Sequence, residues 1–163
     1  MNSKSYIEKI IKDTNKAFIE KELRPFLKIP SITLNKEGIK EAKEFLISYI
    51  KSFSEDIEEY SGEINPLILA RIKGNIKESM LIYMMYDTQP VNKQNKWICD
   101  PFGAEIRILP SPLDMLGECI IARGAYNSKT PLMCFLNVVK ELKKREELPI
   151  SLFLLFDAEE EKG

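Results

Sequence analysis

The sequence predicts an α/β fold in which a layered, mixed sheet is flanked by helices. Residues 80–86 and 152–156 are uninterrupted apolar runs of strand length. Residues 39–53 place apolar side chains at the spacing of one helix face. A second pattern of this kind, within residues 131–142, comes shortly before the last apolar run. Strands that alternate with helices are typical of layered α/β sheets.

Two helices are predicted in the first third of the chain. Ser5 and Glu8 fit a capping box at the start of the first helix, which is predicted to run to about Ile29 before Pro30 interrupts it. The second helix follows Asn35. The apolar stripe that defines this second helix comprises Ile39, Ala42, Phe45, Leu46, Tyr49, Ile50 and Phe53.

Two strands are predicted next, at residues 67–72 and 80–86, joined by a short reversal at residues 73–75. Because the run 80–86 is apolar on both faces, it is predicted to be a central strand. The acidic and polar residues 52–63 that precede these strands are predicted to form a solvated connection rather than a binding surface.

A long loop and a third helix are predicted after the second strand. Prolines and glycines between residues 87 and 120 indicate the loop, which a possible strand at residues 105–109 interrupts. Thr130 and Pro131 have the chemistry of a helix start, and the helix is predicted to continue to about Glu146.

Polar residues follow the strands predicted at residues 80–86 and 150–156, and sites in α/β sheets gather at the carboxyl ends of strands. Asp87, taken alone, fits a turn cap as well as a chemical role. The acidic run 157–161 fits a solvated segment as well as a cation site or a general base. Residues 122–131 fit an ordinary strand-to-helix turn as well as an anion site at a helix start.

Composition excludes several classes of function. Lys and Arg total 24 against 25 Asp and Glu, so neither nucleic acid nor a membrane is an expected partner. The chain has no histidine, which excludes Ser-His-Asp, Cys-His and HExxH catalysis. Cys99, Cys119 and Cys134 lack the spacing of a disulfide framework and indicate reduced thiols in the cytoplasm. The apolar runs are too short to cross a bilayer, and residues 1–16 lack a secretory pattern.

Four motifs occur along the chain in a fixed order. They read MMYDTQP at residues 84–90, Trp97 followed by DPF at 100–102, ARGAYNSKT at 122–130 and DAEEEKG at 157–163. In this order they resemble the zinc-dependent exopeptidase and amidohydrolase family of glutamate carboxypeptidase, acetylornithine deacetylase, succinyl-diaminopimelate desuccinylase and carnosinase-like dipeptidases. The corresponding family motifs are G-H-x-D-x-x-P, W with D-P-F, G-R-G-x-x-D-x-K-G and E-G-x-E-E-x-G. The resemblance covers essentially the whole chain.

The resemblance implies a role for each site position. Met85 stands where the family has its first histidine ligand, and Asn127 stands where it has the aspartate that bridges two zinc ions. Asp87 matches the acid that orients that histidine, Glu160 matches the general base, and Glu161 matches a metal ligand. A thioether and a neutral amide are poor zinc ligands. The family holds two zinc ions, and we expect none in this chain.

The resemblance implies metal-assisted amide hydrolysis as the ancestral reaction and predicts that this chain is a degenerate, truncated and inactive relative. Residues 1–163 are then expected to form a single, incomplete catalytic-type domain, without a lid or dimerisation domain. Two alternatives stay open: a binding or regulatory subunit that pairs with another chain, and one half of a split metallopeptidase. A protein partner or self-association is expected to cover an apolar sheet edge or face near residues 150–156.

Overall fold

A computed structural model describes residues 15–92, 94 and 96–162 of the chain. The capping box predicted at Ser5 and Glu8 lies outside the described residues. Residues 15–28 are helical and include a π-helical turn, Ile19–Leu23, followed by the α-helix α1, Arg24–Lys28. Ile29 has an extended backbone and ends this helix, which confirms the predicted position of its end.

The two longer helices form at the predicted places. Helix α2, Lys36–Lys51, begins after Asn35, whose side-chain oxygen accepts a hydrogen bond of 3.3 Å from the amide of Gly38. Helix α3 spans Lys129–Lys144, two residues shorter at its end than predicted. Its N-cap residue is Ser128 rather than Thr130. No helix among the described residues is both long enough and apolar enough to cross a membrane.

Within the described residues, six strands form a mixed four-stranded sheet and a separate hairpin. The sheet contains β1, Ile57–Ser61, β2, Pro66–Ile72, β3, Ser79–Met85, and β6, Ser151–Asp157, in the order β1-β2-β6-β3. The pairs β1 with β2 and β2 with β6 are antiparallel, whereas β3 and β6 are parallel. The predicted layered, mixed sheet is therefore confirmed. The antiparallel hairpin pairs β4, Glu105–Ile108, with β5, Glu118–Ile121.

The sheet order corrects three predictions. Strands β2 and β3 exist as predicted, but β6 lies between them, so they are not partners across a short reversal. Strand β3 is an edge strand of the described sheet and not a central one. Strand β6 is internal, so the expected uncovered edge or face near residues 150–156 is not an edge of this sheet, and the expectation of an uncovered face stays a prediction. Apolar side chains on both faces show that both faces can be shielded, but they do not specify the neighbouring strands. The predicted solvated connection at residues 52–63 contains the mostly exposed strand β1.

One face of the sheet carries the core. Even-numbered side chains of β2 and β6 are buried there, namely Ile68, Ala70, Ile72, Leu152, Leu154 and Phe156. They belong to one cluster with helix residues that include Phe26, Leu27, Ile39, Leu46, Ile50, Leu132, Met133 and Leu136. Odd-numbered residues of β6 lie on the opposite face and are only half-buried. The helices therefore shield one face of the sheet more completely than the other.

Candidate functional site

The parallel pairing of β3 with β6 brings two of the motif segments together. Met85, the last residue of β3, is the register partner of Asp157, the last residue of β6. The segments that follow both strands consequently leave the sheet side by side. The expected gathering of polar residues at this end of the sheet is therefore present, with Asp87 on one segment and residues 157–161 on the other.

Asp87 is fully buried and is held by residues from both sides. Its Oδ2 atom accepts a hydrogen bond of 2.8 Å from the hydroxyl of Thr33 and one of 3.0 Å from the backbone amide of Glu161. Its Oδ1 atom is buried without a hydrogen-bond partner. Burial raises the pKa of Asp87, while the bonds from Thr33 and Glu161 act in the opposite direction. This carboxyl group thus has one free acceptor position and no access to solvent.

The other site segment precedes helix α3. The amide Nδ2 of Asn127 donates a hydrogen bond of 3.1 Å to Oε1 of Glu161. Next to it, the hydroxyl of Ser128 donates over 3.4 Å to the backbone carbonyl of Asp87. These bonds join the turn before α3 to both strand ends, so the structure brings Asp87, Asn127 and Glu161 into one cluster.

Met85 and Glu160 line a cavity beside this cluster. The cavity measures about 360 Å³ and opens between β3 and the start of α3. Its wall is mainly apolar and includes Tyr83, Met84, Pro131 and Phe135. Larger hollows of about 680 and 730 Å³ are both lined by residues such as Ser52 and Lys143, which belong to none of the motif segments. The small cavity is therefore the relevant one, because it contains the predicted general-base position and the first predicted ligand position.

The four carboxylates of the acidic run 157–161 have different hydrogen-bond partners and different roles. Oδ1 of Asp157 accepts from the amide of Glu159 over 2.8 Å, and Oδ2 accepts from the hydroxyl of Tyr83 over 2.8 Å. Oε1 of Glu159 accepts from the backbone amides of Ile64 and Asn65, at 2.9 and 3.0 Å. These bonds lower the pKa of Glu159, with the Asn65 amide as the largest cause. Two of the four carboxylates therefore stabilise the fold, and Glu160 and Glu161 remain at the site.

A buried lysine lies beside the site, at the position of the lysine in the third motif, and the sequence analysis assigned it no role. Lys129 is fully buried at the start of α3, and its Nζ donates to the carbonyl oxygens of Phe26 at 3.1 Å and Ile29 at 2.5 Å. Burial lowers its pKa to about 7. The sequence patterns did not identify Thr33 either. A lysine or a threonine in a turn gives no local signal of such contacts, because the partners lie far away in sequence.

The donor atoms at the site differ from those that zinc prefers. Structural and catalytic zinc sites use imidazole, thiolate and carboxylate ligands. The three predicted ligand positions supply the thioether of Met85, the amide of Asn127 and the carboxylate of Glu161. Across residues 15–92, 94 and 96–162, no group of three or more His, Cys, Asp or Glu side chains is arranged to hold a metal ion.

Known proteins resemble this chain in both sequence and fold. The Cys-Gly metallodipeptidase DUG1 of Candida albicans is 26% identical over 171 residues, a match that covers 94% of this chain. A solved M20 family metallo-carboxypeptidase, Sso-CP2 from Sulfolobus solfataricus, superimposes with a TM-score of 0.74 and 35% identity over 86% of this chain. The di-peptidase Dug1p from Saccharomyces cerevisiae superimposes with a TM-score of 0.75 over 98% of this chain, at 23% identity. No protein-family model matches the chain.

The chain spans about a third of the length of these proteins. It covers 34% of the Candida albicans metallodipeptidase and 30% and 35% of the two solved structures. These matches confirm the kind of family that the four motifs indicated and the mixed α/β fold. The prediction that residues 1–163 form a single, incomplete catalytic-type domain stays a prediction.

Proposed function

Since this chain is a homologue of the M20 zinc peptidases, we propose that it keeps part of their catalytic fold as a degenerate module that binds no zinc pair and hydrolyses no amide bond. The strand ends, the site segments and the cluster around Asp87 are all present. The change lies in the ligand side chains and not in the scaffold that positions them.

The observation that carries this proposal is the hydrogen bond between Asn127 and Glu161. The amide Nδ2 of Asn127 donates to Oε1 of Glu161 over 3.1 Å. A carboxylate oxygen that accepts an amide proton has that lone pair engaged, and the amide brings no negative charge to offset two dications. The two side chains thus satisfy one another and need no ion between them.

Met85 and Asp87 support the proposal independently. The thioether of Met85 is a soft ligand that suits Cu(I) better than Zn²⁺. Metal-bound histidines usually donate their second ring N–H to a carboxylate or carbonyl. Oδ1 of Asp87 is buried without any donor. The carboxylate is therefore retained without the imidazole that it would orient.

Zinc loading followed by metal analysis tests the proposal. After equilibrium dialysis against zinc, we expect no stoichiometric zinc in the chain and no cleavage of Cys-Gly or of N-acyl amino acids. The Candida albicans metallodipeptidase, dialysed in parallel, is the positive control. Two tightly held zinc ions per chain, or turnover of either substrate class, would overturn the proposal.

A binding or regulatory role is the second candidate, and the open edge strand β3 favours it. Within the described sheet β3 pairs only with β6, and Leu81 and Tyr83 on it are exposed. A split metallopeptidase is the weaker alternative, because Met85 and Asn127 lie inside this chain and a companion chain leaves them unchanged. The unpaired cysteines Cys99, Cys119 and Cys134 support a location in the cytoplasm.

A further inference from the structure

The first helix contains a turn that is one residue longer than a turn of α-helix. In the π-helical turn Ile19–Leu23 the amide of Arg24 donates to the carbonyl of Ile19, five residues back instead of four. An α-helix advances by about 100° per residue, so one extra residue changes the direction of every side chain before the turn by about that angle. Such turns are rare and often occur at functional segments.

The extra residue decides which apolar side chain reaches the core. Phe26 is fully buried in α1, and in a continuous α-helix the residue seven positions before it lies two turns away on the same face. That residue is Ile19. With the π-helical turn Phe18 is buried instead, at 7% exposure, and Ile19 is only half-buried. The chain therefore carries two apolar residues for one core position, Phe18 in the π register and Ile19 in the α register.

The carboxylate of Glu22, within the π-helical turn, is held by both neighbouring long helices. The hydroxyl of Tyr49 in α2 donates to Oε2 of Glu22 over 2.8 Å. Nζ of Lys140 in α3 donates to Oε1 and Oε2 of Glu22 over 2.7 and 2.8 Å. A change of register rotates Glu22 about the helix axis, and hydrogen bonds of this length do not survive such a movement. The bonds of Glu22 therefore stabilise the π register and not the α register.

The residues after the turn are fixed by contacts that do not involve it. The carbonyl oxygens of Phe26 and Ile29 accept from the buried Nζ of Lys129. Nε of Arg24 donates to the carbonyl of Ala104 over 2.9 Å. Residues 15–17, which precede the turn, are exposed. A change of register consequently moves the residues before the turn and leaves α1 in place.

We propose that the first helix is a two-register device that Glu22 holds in the π register. When Glu22 is released, the extra residue leaves the turn, Ile19 replaces Phe18 in the core, and residues 15–18 rotate by about 100°. The apolar area buried changes little, because one large apolar side chain replaces another. The bonds of a single carboxylate then decide which register is populated.

Hydrogen-bond scalar couplings, measured by NMR on the full chain, report the register directly. In the wild type the amide nitrogen of Arg24 should couple to the carbonyl carbon of Ile19. In Glu22→Ala we expect this coupling to vanish and one between Leu23 and Ile19 to appear. Glu20→Ala is the matched control, because the ion pair of Glu20 with Arg24 has the i,i+4 spacing of an α-helix. It should keep the wild-type coupling, and a π-helical turn that persists in Glu22→Ala overturns the proposal.

Deletion of single residues tests the extra residue even if Glu22→Ala does not fold. Without Lys21, which is exposed in the turn, Phe18 and Leu23 are four residues apart, as on one face of an α-helix. This deletion variant should unfold cooperatively at a urea concentration no lower than the wild type. Deletion of Lys40, exposed in the regular helix α2, rotates the apolar stripe of α2 and should abolish the cooperative transition. Equal effects of the two deletions overturn the proposal, because the turn then holds no residue that the helix can release.

Discussion

The hydroxyl group of Thr33 donates a hydrogen bond of 2.8 Å to Oδ2 of Asp87, and both side chains are buried. Thr33 follows α1 and Asp87 follows β3, so this bond holds the segment after α1 against the candidate site. The backbone of Ile32 also forms a bridge with Thr88. Residues 32 and 33, which follow the end of the helix, thus support the segment that carries the buried carboxylate.

Thr33→Val should destabilise the chain by about 1–3 kcal/mol, because valine keeps the shape and removes the donor to a buried carboxyl group. Thr33→Ser keeps the hydroxyl and loses only a methyl group, so it should cost about 1 kcal/mol. Urea unfolding at neutral pH measures both. Equal losses in the two variants would contradict a role for the hydrogen bond.

Lys129 should make stability depend on pH. Its folded pKa is about 7, below the ordinary value of 10.5, because burial disfavours the charged form. Between these two values the unfolded chain binds more protons than the folded chain, so this group's contribution to stability rises as pH rises. Each pKa unit corresponds to about 1.4 kcal/mol. The total effect is therefore on the order of several kcal/mol.

Lys129→Met removes this dependence. We expect the variant to gain stability relative to the wild type at pH 6.5, and the gain to shrink progressively toward pH 10. Urea unfolding at several pH values gives the two curves. Lys144→Met, on an exposed position of the same helix, is the matched control. Parallel curves for the wild type and Lys129→Met would show that the lysine does not titrate in this range.

The sequence predicts where the helices and strands near the site lie better than it predicts which strands are neighbours in the sheet. Apolar periodicity located α2, β3 and β6 because that signal is local. The insertion of β6 between β2 and β3 depends on pairing between strands that are far apart in sequence, and no local pattern encodes it. The sequence does not indicate strand β1, because four of its five residues are exposed and its residues are as polar as those of a loop.

The same limit applies to the supporting residues of the site. Thr33 is 54 residues from Asp87, and Lys129 is 100 residues from Ile29, so neither contact has a sequence signature. Asp87, Glu160 and Glu161 were located through motif order. The motifs did not indicate that Glu159 contacts the β1–β2 turn or that Asp157 contacts Tyr83.

The carboxylate of Glu159 should contribute to the stability of the fold. Its carboxylate accepts two backbone amides from the turn at Ile64 and Asn65, so Glu159→Ala leaves those donors without partners at a cost of about 1–3 kcal/mol. Because the folded pKa is lowered, this contribution is present above the ordinary value of 4.5 and is lost as pH falls through the folded pKa. Thermal unfolding between pH 7 and pH 3 should show the penalty of the variant shrinking in acid.

Glu160→Ala is the matched control, because the adjacent glutamate is exposed. Its effect should stay within about 0.5 kcal/mol, as for most surface substitutions. A larger loss from Glu160→Ala than from Glu159→Ala would reverse the roles assigned to these neighbours.

The double variant Met85→His with Asn127→Asp should regain zinc affinity without regaining hydrolysis. The imidazole and the new carboxylate join Glu161 as ligands that zinc prefers, and the free Oδ1 of Asp87 offers an acceptor for the second ring N–H. We expect an affinity at least about tenfold above that of the wild type, measured by competition with a chromophoric chelator. Each single variant, measured alongside, should gain less than the pair.

Turnover of Cys-Gly or N-acyl amino acids should nevertheless stay at background. A zinc ion bound at one rebuilt position lacks the shared centre of two ions that the family uses, and this chain spans only about a third of its relatives. Clear turnover by the double variant would show that the described residues carry a sufficient site. A double variant with no gain in zinc affinity would show instead that Met85 and Asn127 are not the positions that decide metal binding.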